Sequence, residues 1–367
     1  MQVVRLWVWT KSPQLAPPMP NPPRQPGADH VSIDQWLRMP KAVLFDTRSP
    51  AEWSQGHIPG AINLPLFDNE ERAQIGTLYK QVGKQAAVDR GLELIGPRML
   101  EMAQRARDLV ATHGDGESPV LVHCWRGGMR SESVTWLMRM AGIPARKIDG
   151  GYKAYRRHIT RALGAPWPLR VLAGPTGTGK MPILRHLAEL GEQVLDLEAM
   201  ADHLGSAFGN LDGHLQPSSE QFANDCFTAL ARMDPSRPVW VEDESRRIGT
   251  VHLPEPLYAQ LRATPIVLVA RSQAERLDEI ERIYGAAPIA PLQAAFRRIA
   301  EKLGGQHAKA AIEALDRGEV RAAAELGLAY YDKRYAHTLE RHDRPVAQRI
   351  EGEGKTFLDI AAELRDL

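Results

Sequence analysis

Twice in this chain a short apolar run ends in a glycine-bearing loop that feeds a segment with helical spacing. The first run is Pro119 to Val122, followed by His123-Cys124-Trp125-Arg126-Gly127-Gly128-Met129-Arg130-Ser131, then Val134, Leu137 and Met138. The second is Leu169 to Ala173, followed by Gly174-Pro175-Thr176-Gly177-Thr178-Gly179-Lys180, then Ile183, Leu184, Leu187 and Leu190. Short strands alternating with helices imply a mostly parallel sheet covered by helices on both faces. Ligands in such sheets sit at the C-terminal strand edges, where both loops fall.

The rest of the chain repeats the alternation. Val31 to Leu37 reads as a short helix capped by Ser32, Lys41 to Arg48 as a buried strand, and Gly56 to Leu64 as a turn and strand. Asp149-Gly150-Gly151 closes a further apolar run before a helix from Tyr152 to Leu163. Pro166-Trp167-Pro168 marks a boundary. Beyond it, one strand leads to Asp196 and Glu198, and Pro238 to Val241 leads to Glu242-Asp243-Glu244. Pro265 to Ala270 is another buried strand, and the pattern is helical from about Gln273 to the end. The expected organisation is a proline-rich, disordered head (1–28), an α/β domain (29–164), a second α/β domain (169–290) and a helical C-terminal region (291–367).

A chain of 367 residues is longer than one core usually supports, which agrees with several domains. Net charge of +1 announces no nucleic-acid partner globally, so RNA binding has to rest on local patches. Arg297, Arg298, Lys302, Lys309, Lys333, Arg334 and Arg341 are either solvated helix faces or such a patch. Two cysteines make neither a disulfide framework nor a cysteine-rich metal site, and fit a reducing cytoplasm. Cys226 shares a helical face with Phe222 and Leu230 and reads as core. No apolar run is long enough to span a membrane, the first residues lack the layout expected of a signal peptide, and no internal repeat is found.

Cys124 stands at a strand end, on a loop whose amides and helix dipole favour negative charge, with Arg126 and Arg130 beside it. Such surroundings favour the thiolate, the reactive form. The same cradle suits a tetrahedral oxyanion. In the second loop, amides at Gly174, Thr176, Gly177, Thr178 and Gly179 can cradle phosphates, and Lys180 reaches them as a point charge. Phosphate loops carry Ser or Thr after the lysine to ligate Mg²⁺, but this chain has Met181, whose thioether is a poor ligand for a hard cation. Phosphate binding is therefore expected and rapid Mg-dependent ATP hydrolysis is not. Glu242 and Asp243 form a candidate acidic second site, no dedicated metal site is expected, and use of Mg²⁺ stays open.

These residues resemble the bacterial tRNA 2-selenouridine synthases, in which a rhodanese-like domain is fused to a phosphate-loop domain. The resemblance rests on Asp46 to Trp53, Gly56 to Ala61, Asn69 to Arg72, Gly76 to Gln81, Cys124 to Ser131 and Gly150 to Arg156. It continues through Gly205 to Gly209, Trp240 to Gly249 and Tyr330 to Tyr335. It implies a cytoplasmic transferase acting on tRNA with 2-thiouridine at the wobble position. Selenophosphate would be the selenium donor and geranyl diphosphate the co-substrate of an S-geranylation that improves the leaving group. Cys124 would take selenium as a selenopersulfide, with Arg126 and Arg130 holding the departing anion. Leu204 stands where the family implies arginine, so one cation of the anion site is expected to be missing. Two other readings compete. One is a cysteine-based phosphatase or generic sulfurtransferase, the former with Asp46 or Glu132 as general acid. The other is a non-catalytic module that senses nucleotide.

Overall fold

The computed structural model describes residues 29–39, 41–211, 213–342 and 344–367; the proline-rich head lies outside the described residues. Two five-stranded sheets organise the chain, and every strand pair within them is parallel. The first holds β1 (His30–Val31), β2 (Leu44–Asp46), β3 (Ile62–Asn63), β4 (Val120–His123) and β5 (Ala145–Ile148), in the order β1-β5-β4-β2-β3. The second contains β6 (Leu169–Ala173), β7 (Gln193–Leu195) and β8 (Val239–Glu242). After a small hairpin of β9 (Arg247–Ile248) and β10 (Val251–His252), it gains β11 (Ile266–Ala270) and β12 (Val346–Glu351). Its order is β12-β11-β6-β8-β7. Central strands β4 and β8 are buried along their whole length, as parallel strands covered on both faces must be.

The local signals read from the sequence form as expected where they are strong. Ser32 caps Ile33–Trp36 with a reciprocal capping box, and Ser49 does the same for Pro50–Gln55. Residues 69–113 fold into helices Asn69–Gln81, Lys84–Ile95 and Met99–His113, joined by tight turns. The C-terminal stretch corrects the all-helical expectation. Helices Ile289–Leu303, Gly305–Asp316 and Val320–His342 are present, but Val346–Glu351 is an edge strand paired with β11. Only Ile350 of that strand is buried, because the outer face of an edge strand meets water. The final helix, Phe357–Arg365, then packs against Lys180–Glu189 and shares its apolar cluster.

One hydrophobic core runs through both halves. It includes Val31, Leu121 and Ile148 of the first sheet, Tyr155, Ile159 and Leu163 of the Gly151–Leu163 helix, and Phe222, Phe227, Val239 and Leu257 beyond the boundary. The Pro166-Trp167-Pro168 connection is itself stitched down: Trp167 N donates to Gln260 Oε1 at 3.0 Å, and Gln260 Nε2 donates to Leu163 O at 2.7 Å.

Candidate active site

β4 stops at His123 and the helix Met129–Met140 begins after the loop, with Gly128 at the cap position and no side-chain cap. The first amides of that helix are therefore left for an anion. Gly127 has φ +64°, and a Cβ there would stand 2.8 Å from Ile148 O. The turn after β5 presses on the loop from the other side: a Cβ on Gly151 would lie 2.3 Å from Cys124 O. Tyr152 N and Lys153 N donate to the carbonyls of Cys124 and Trp125 at 2.9 Å each. Only glycine allows this approach.

Cys124 is 3% exposed, and its Sγ lies 3.3 Å from Ser131 Oγ. Ser131 Oγ is also 3.0 Å from Gly128 O. The single hydroxyl hydrogen thus has two acceptors in reach, and turned towards sulfur it stabilises a thiolate. Ser131 belongs to the motif quoted for the loop, yet its contact with sulfur is not visible in sequence.

The two arginines are not equivalent. Arg126 is exposed. Arg130 donates to both Glu52 oxygens, at 2.6 and 3.1 Å, and Arg72 lies 3.6 Å from the same carboxylate. Burial pushes the Glu52 carboxyl up, but the Arg130 guanidinium outweighs it and holds the group below the ordinary range. Arg130 therefore shares the single Glu52 charge with Arg72 while facing the Cys124 thiol, whereas Arg126 stands exposed.

Beneath the loop lie Asp46, Arg48 and His123, all buried. Arg48 grips Asp46 through Nε at 2.9 Å and Nη2 at 2.5 Å, and its guanidinium sits 3.8 Å over the Tyr152 ring. Burial pushes the His123 imidazole down, against the pull of the Asp46 carboxylate. Burial also pushes the Asp46 carboxyl up, but the His123 ring and the Arg48 guanidinium beside it outweigh burial and hold it below the ordinary range. A carboxylate so held is no general acid, which removes Asp46 from the phosphatase reading. Glu132 is exposed on the helix that follows the loop, with Lys147 Nζ 4.0 Å away.

In the phosphate loop, Gly177 and Gly179 both have φ +83°. Their missing Cβ atoms would lie 2.6 Å from Arg276 O and 2.2 Å from the Phe357 ring. Arg276 Nε donates to Thr176 O at 2.7 Å while its fork holds Asp332. Thr178 donates inward to Pro175 O, and Lys180 Nζ donates to Gly174 O at 3.1 Å. Met181 packs on the apolar cluster of Leu172, Ile183 and Ile360. Leu204 is 44% exposed.

The acidic second site is rearranged. Strand alternation sends Glu242 and Asp243 to opposite sides. Asp243 is held by Arg344, and by Arg262 at 3.3 Å. Glu242 is fully buried; its Oε1 accepts from Glu198 N at 2.8 Å and its Oε2 has no partner. The carboxyls near Lys180 are Glu198 and Glu244, which share a hydrogen bond. Burial raises Glu242 well above the ordinary range, and burial together with Glu198 pushes Glu244 up to about 8, against the pull of Lys180. Among the described residues no group of three or more His, Cys, Asp or Glu is arranged to hold a metal ion. Thr176 also borders an apolar cavity of about 60 Å³, walled by Phe208, Tyr284, Phe296, Leu328 and Tyr331.

Fold and site define a class: a rhodanese-type cysteine loop and a phosphate-loop domain in one chain. A family model described as the tRNA 2-selenouridine synthase AAA domain matches residues 167–364, and the rhodanese-like domain matches residues 30–158. The chain is 33% identical to a tRNA 2-selenouridine synthase of Nitrosomonas europaea, over 86% of this chain and 93% of that protein. It is 34% identical to one of Aeromonas salmonicida, over 87% and 93%, and 33% identical to one of Bdellovibrio bacteriovorus, over 81% and 89%. The chain belongs to the tRNA 2-selenouridine synthase family. Among the described residues, no helix is long and apolar enough to cross a membrane.

Proposed function

We propose that this chain is a cytoplasmic transferase that exchanges the sulfur of wobble 2-thiouridine in tRNA for selenium from selenophosphate, after S-geranylation by geranyl diphosphate. The observation that carries the reading is the pairing of an anion-cradling thiol loop with a phosphate loop that opens beside an apolar cavity. In the first step the thiocarbonyl sulfur attacks the allylic carbon of geranyl diphosphate. The carbon–oxygen bond breaks, and diphosphate is left on the amides of Gly174 to Gly179 and on Lys180. The hydrocarbon lies towards Thr176. At 60 Å³ the cavity holds only part of a geranyl chain, so the helices that wall it have to part. In the second step the Cys124 thiolate attacks the phosphorus of selenophosphate, the Se–P bond breaks, and the hydrogenselenide released attacks the base carbon as geranylthiolate leaves. Water then clears the phosphate from the thiol, with Arg126, Arg130 and the loop amides balancing anionic charge. Met181 is engaged in packing and offers no oxygen ligand to Mg²⁺.

Nucleoside mass spectrometry of tRNA treated with selenophosphate and geranyl diphosphate tests this. The wild type should yield 2-selenouridine. Cys124→Ala should yield none while still accumulating S-geranyl-2-thiouridine. Lys180→Ala should weaken geranyl diphosphate binding by about 1.5–3 kcal/mol, the worth of a charged hydrogen bond. Selenation by Cys124→Ala would end the covalent role of the thiol, and brisk Mg-dependent ATP hydrolysis would end this reading of the phosphate loop.

A further inference from the structure

An open groove of about 850 Å³ runs along the Gly151–Leu163 helix and reaches Trp125 of the cysteine loop. Its charge has a pattern. Lys153, Arg157 and Arg161 line it, all exposed and four residues apart, so they form a stripe along one helix face at steps of about 6 Å. The acids that share the groove are already engaged. Asp34 lies 3.3 Å from His158, Asp149 lies 2.6 Å from His30, and Glu220 accepts the Tyr152 hydroxyl at 2.9 Å. Arg156 is likewise engaged, by Glu220 O at 3.0 Å and by Asn224. Among the described residues, the three stripe cations have no ionic or hydrogen-bonding side-chain partner. Trp125, 36% exposed, leans on Tyr152 with ring centroids 5.7 Å apart. The stripe starts where Lys153 N bonds Trp125 O, one residue from the thiol.

We propose that this groove is an RNA-docking track. The phosphates lie along Lys153, Arg157 and Arg161, and a base stacks on Trp125 as the strand reaches the cysteine loop. Regularly spaced cations that lack carboxylate partners suit a phosphate backbone, and an exposed indole beside them suits a base face. A protein partner of ordinary composition would leave three like charges in a row uncompensated. The inference rests on the tRNA reading above and adds the surface that carries the RNA.

The test is fluorescence anisotropy with an anticodon stem–loop RNA carrying 2-thiouridine, measured over a range of salt concentrations. Arg157→Ala with Arg161→Ala should weaken binding several-fold and flatten the slope of log Kd against log salt by about two, one for each lost contact. Trp125→Ala should cost about tenfold, the usual scale of one stacked base, with the slope unchanged. Arg297→Ala with Lys309→Ala removes equal charge from the C-terminal helices and should change neither value. If the wild type binds this RNA and the groove variants bind it equally well, or if both double variants lose equally, the track is overturned while the proposed reaction stands. If the wild type fails to bind the RNA, the tRNA reading falls with it.

Discussion

Ser131 is the side chain through which the Cys124 environment is most easily probed. Its hydroxyl lies 3.3 Å from sulfur, so Ser131→Ala should slow alkylation of Cys124 by iodoacetamide several-fold, at a stability cost of about 1 kcal/mol for the lost hydrogen bond. Cys226 is the internal control. It is fully buried against Met200 and its thiol is pushed up by burial, so it should react far more slowly than Cys124. Glu244 gives a second residue-level test. Its carboxyl is raised to about 8, so the folded state retains a proton that the unfolded chain has already lost above the ordinary carboxylate range. Its contribution to stability is therefore full at acid pH and is lost as pH rises through about 8. Glu244→Gln should flatten the fall in melting temperature across that window, and an unchanged pH profile would show that the Glu198–Glu244 pair does not hold the proton.

At the scale of elements, what could be read in the sequence was whatever is local. The cysteine loop and the phosphate loop are each a strand, a glycine turn and a helix within a short stretch, so residue type alone placed Cys124 and Lys180 at sheet edges. Contacts that close across the chain were not legible: Glu52 meets Arg130 from 78 residues away, and Arg276 reaches Thr176 from 100. The strand Val346–Glu351 escaped for another reason, since one buried isoleucine among exposed and half-buried residues carries no periodic signal. The apolar cavity is built from several helices and yields an element-scale prediction. Gly327 lies in Val320–His342 with Phe296 3.6 Å from where its Cβ would stand. Gly327→Leu should fill the cavity and lower S-geranylation at least tenfold in a nucleoside assay. Alkylation of Cys124 should stay at the wild-type rate. Undiminished geranylation would place the hydrocarbon elsewhere.

At the scale of the whole molecule, the two halves are not beads on a linker. The Gly151–Leu163 helix belongs to the first sheet by chain order, yet it buries Tyr155, Ile159 and Leu163 in a core shared with Phe222, Phe227 and Leu257. Polar contacts reinforce that seam. Asn224 is fully buried, and its Nδ2 donates to His57 O at 2.7 Å and to the Tyr152 hydroxyl oxygen at 2.9 Å. Gln221 Oε1 accepts from His57 N at 2.8 Å. Tyr152 also carries Arg48 on its ring face, so the seam connects to the buried ion pair under the cysteine loop. A change at the seam should therefore reach the thiol. The shared core predicts one cooperative thermal transition in calorimetry rather than one for each sheet. Asn224→Ala leaves the His57 carbonyl without its donor in a buried place and should cost about 1–3 kcal/mol. It should lower the single transition without splitting it. It should also alter the alkylation rate of Cys124, which Asn224 does not touch. Two separate transitions in the wild-type protein, or a destabilised Asn224→Ala with an unaltered thiol, would show that the halves fold and work independently.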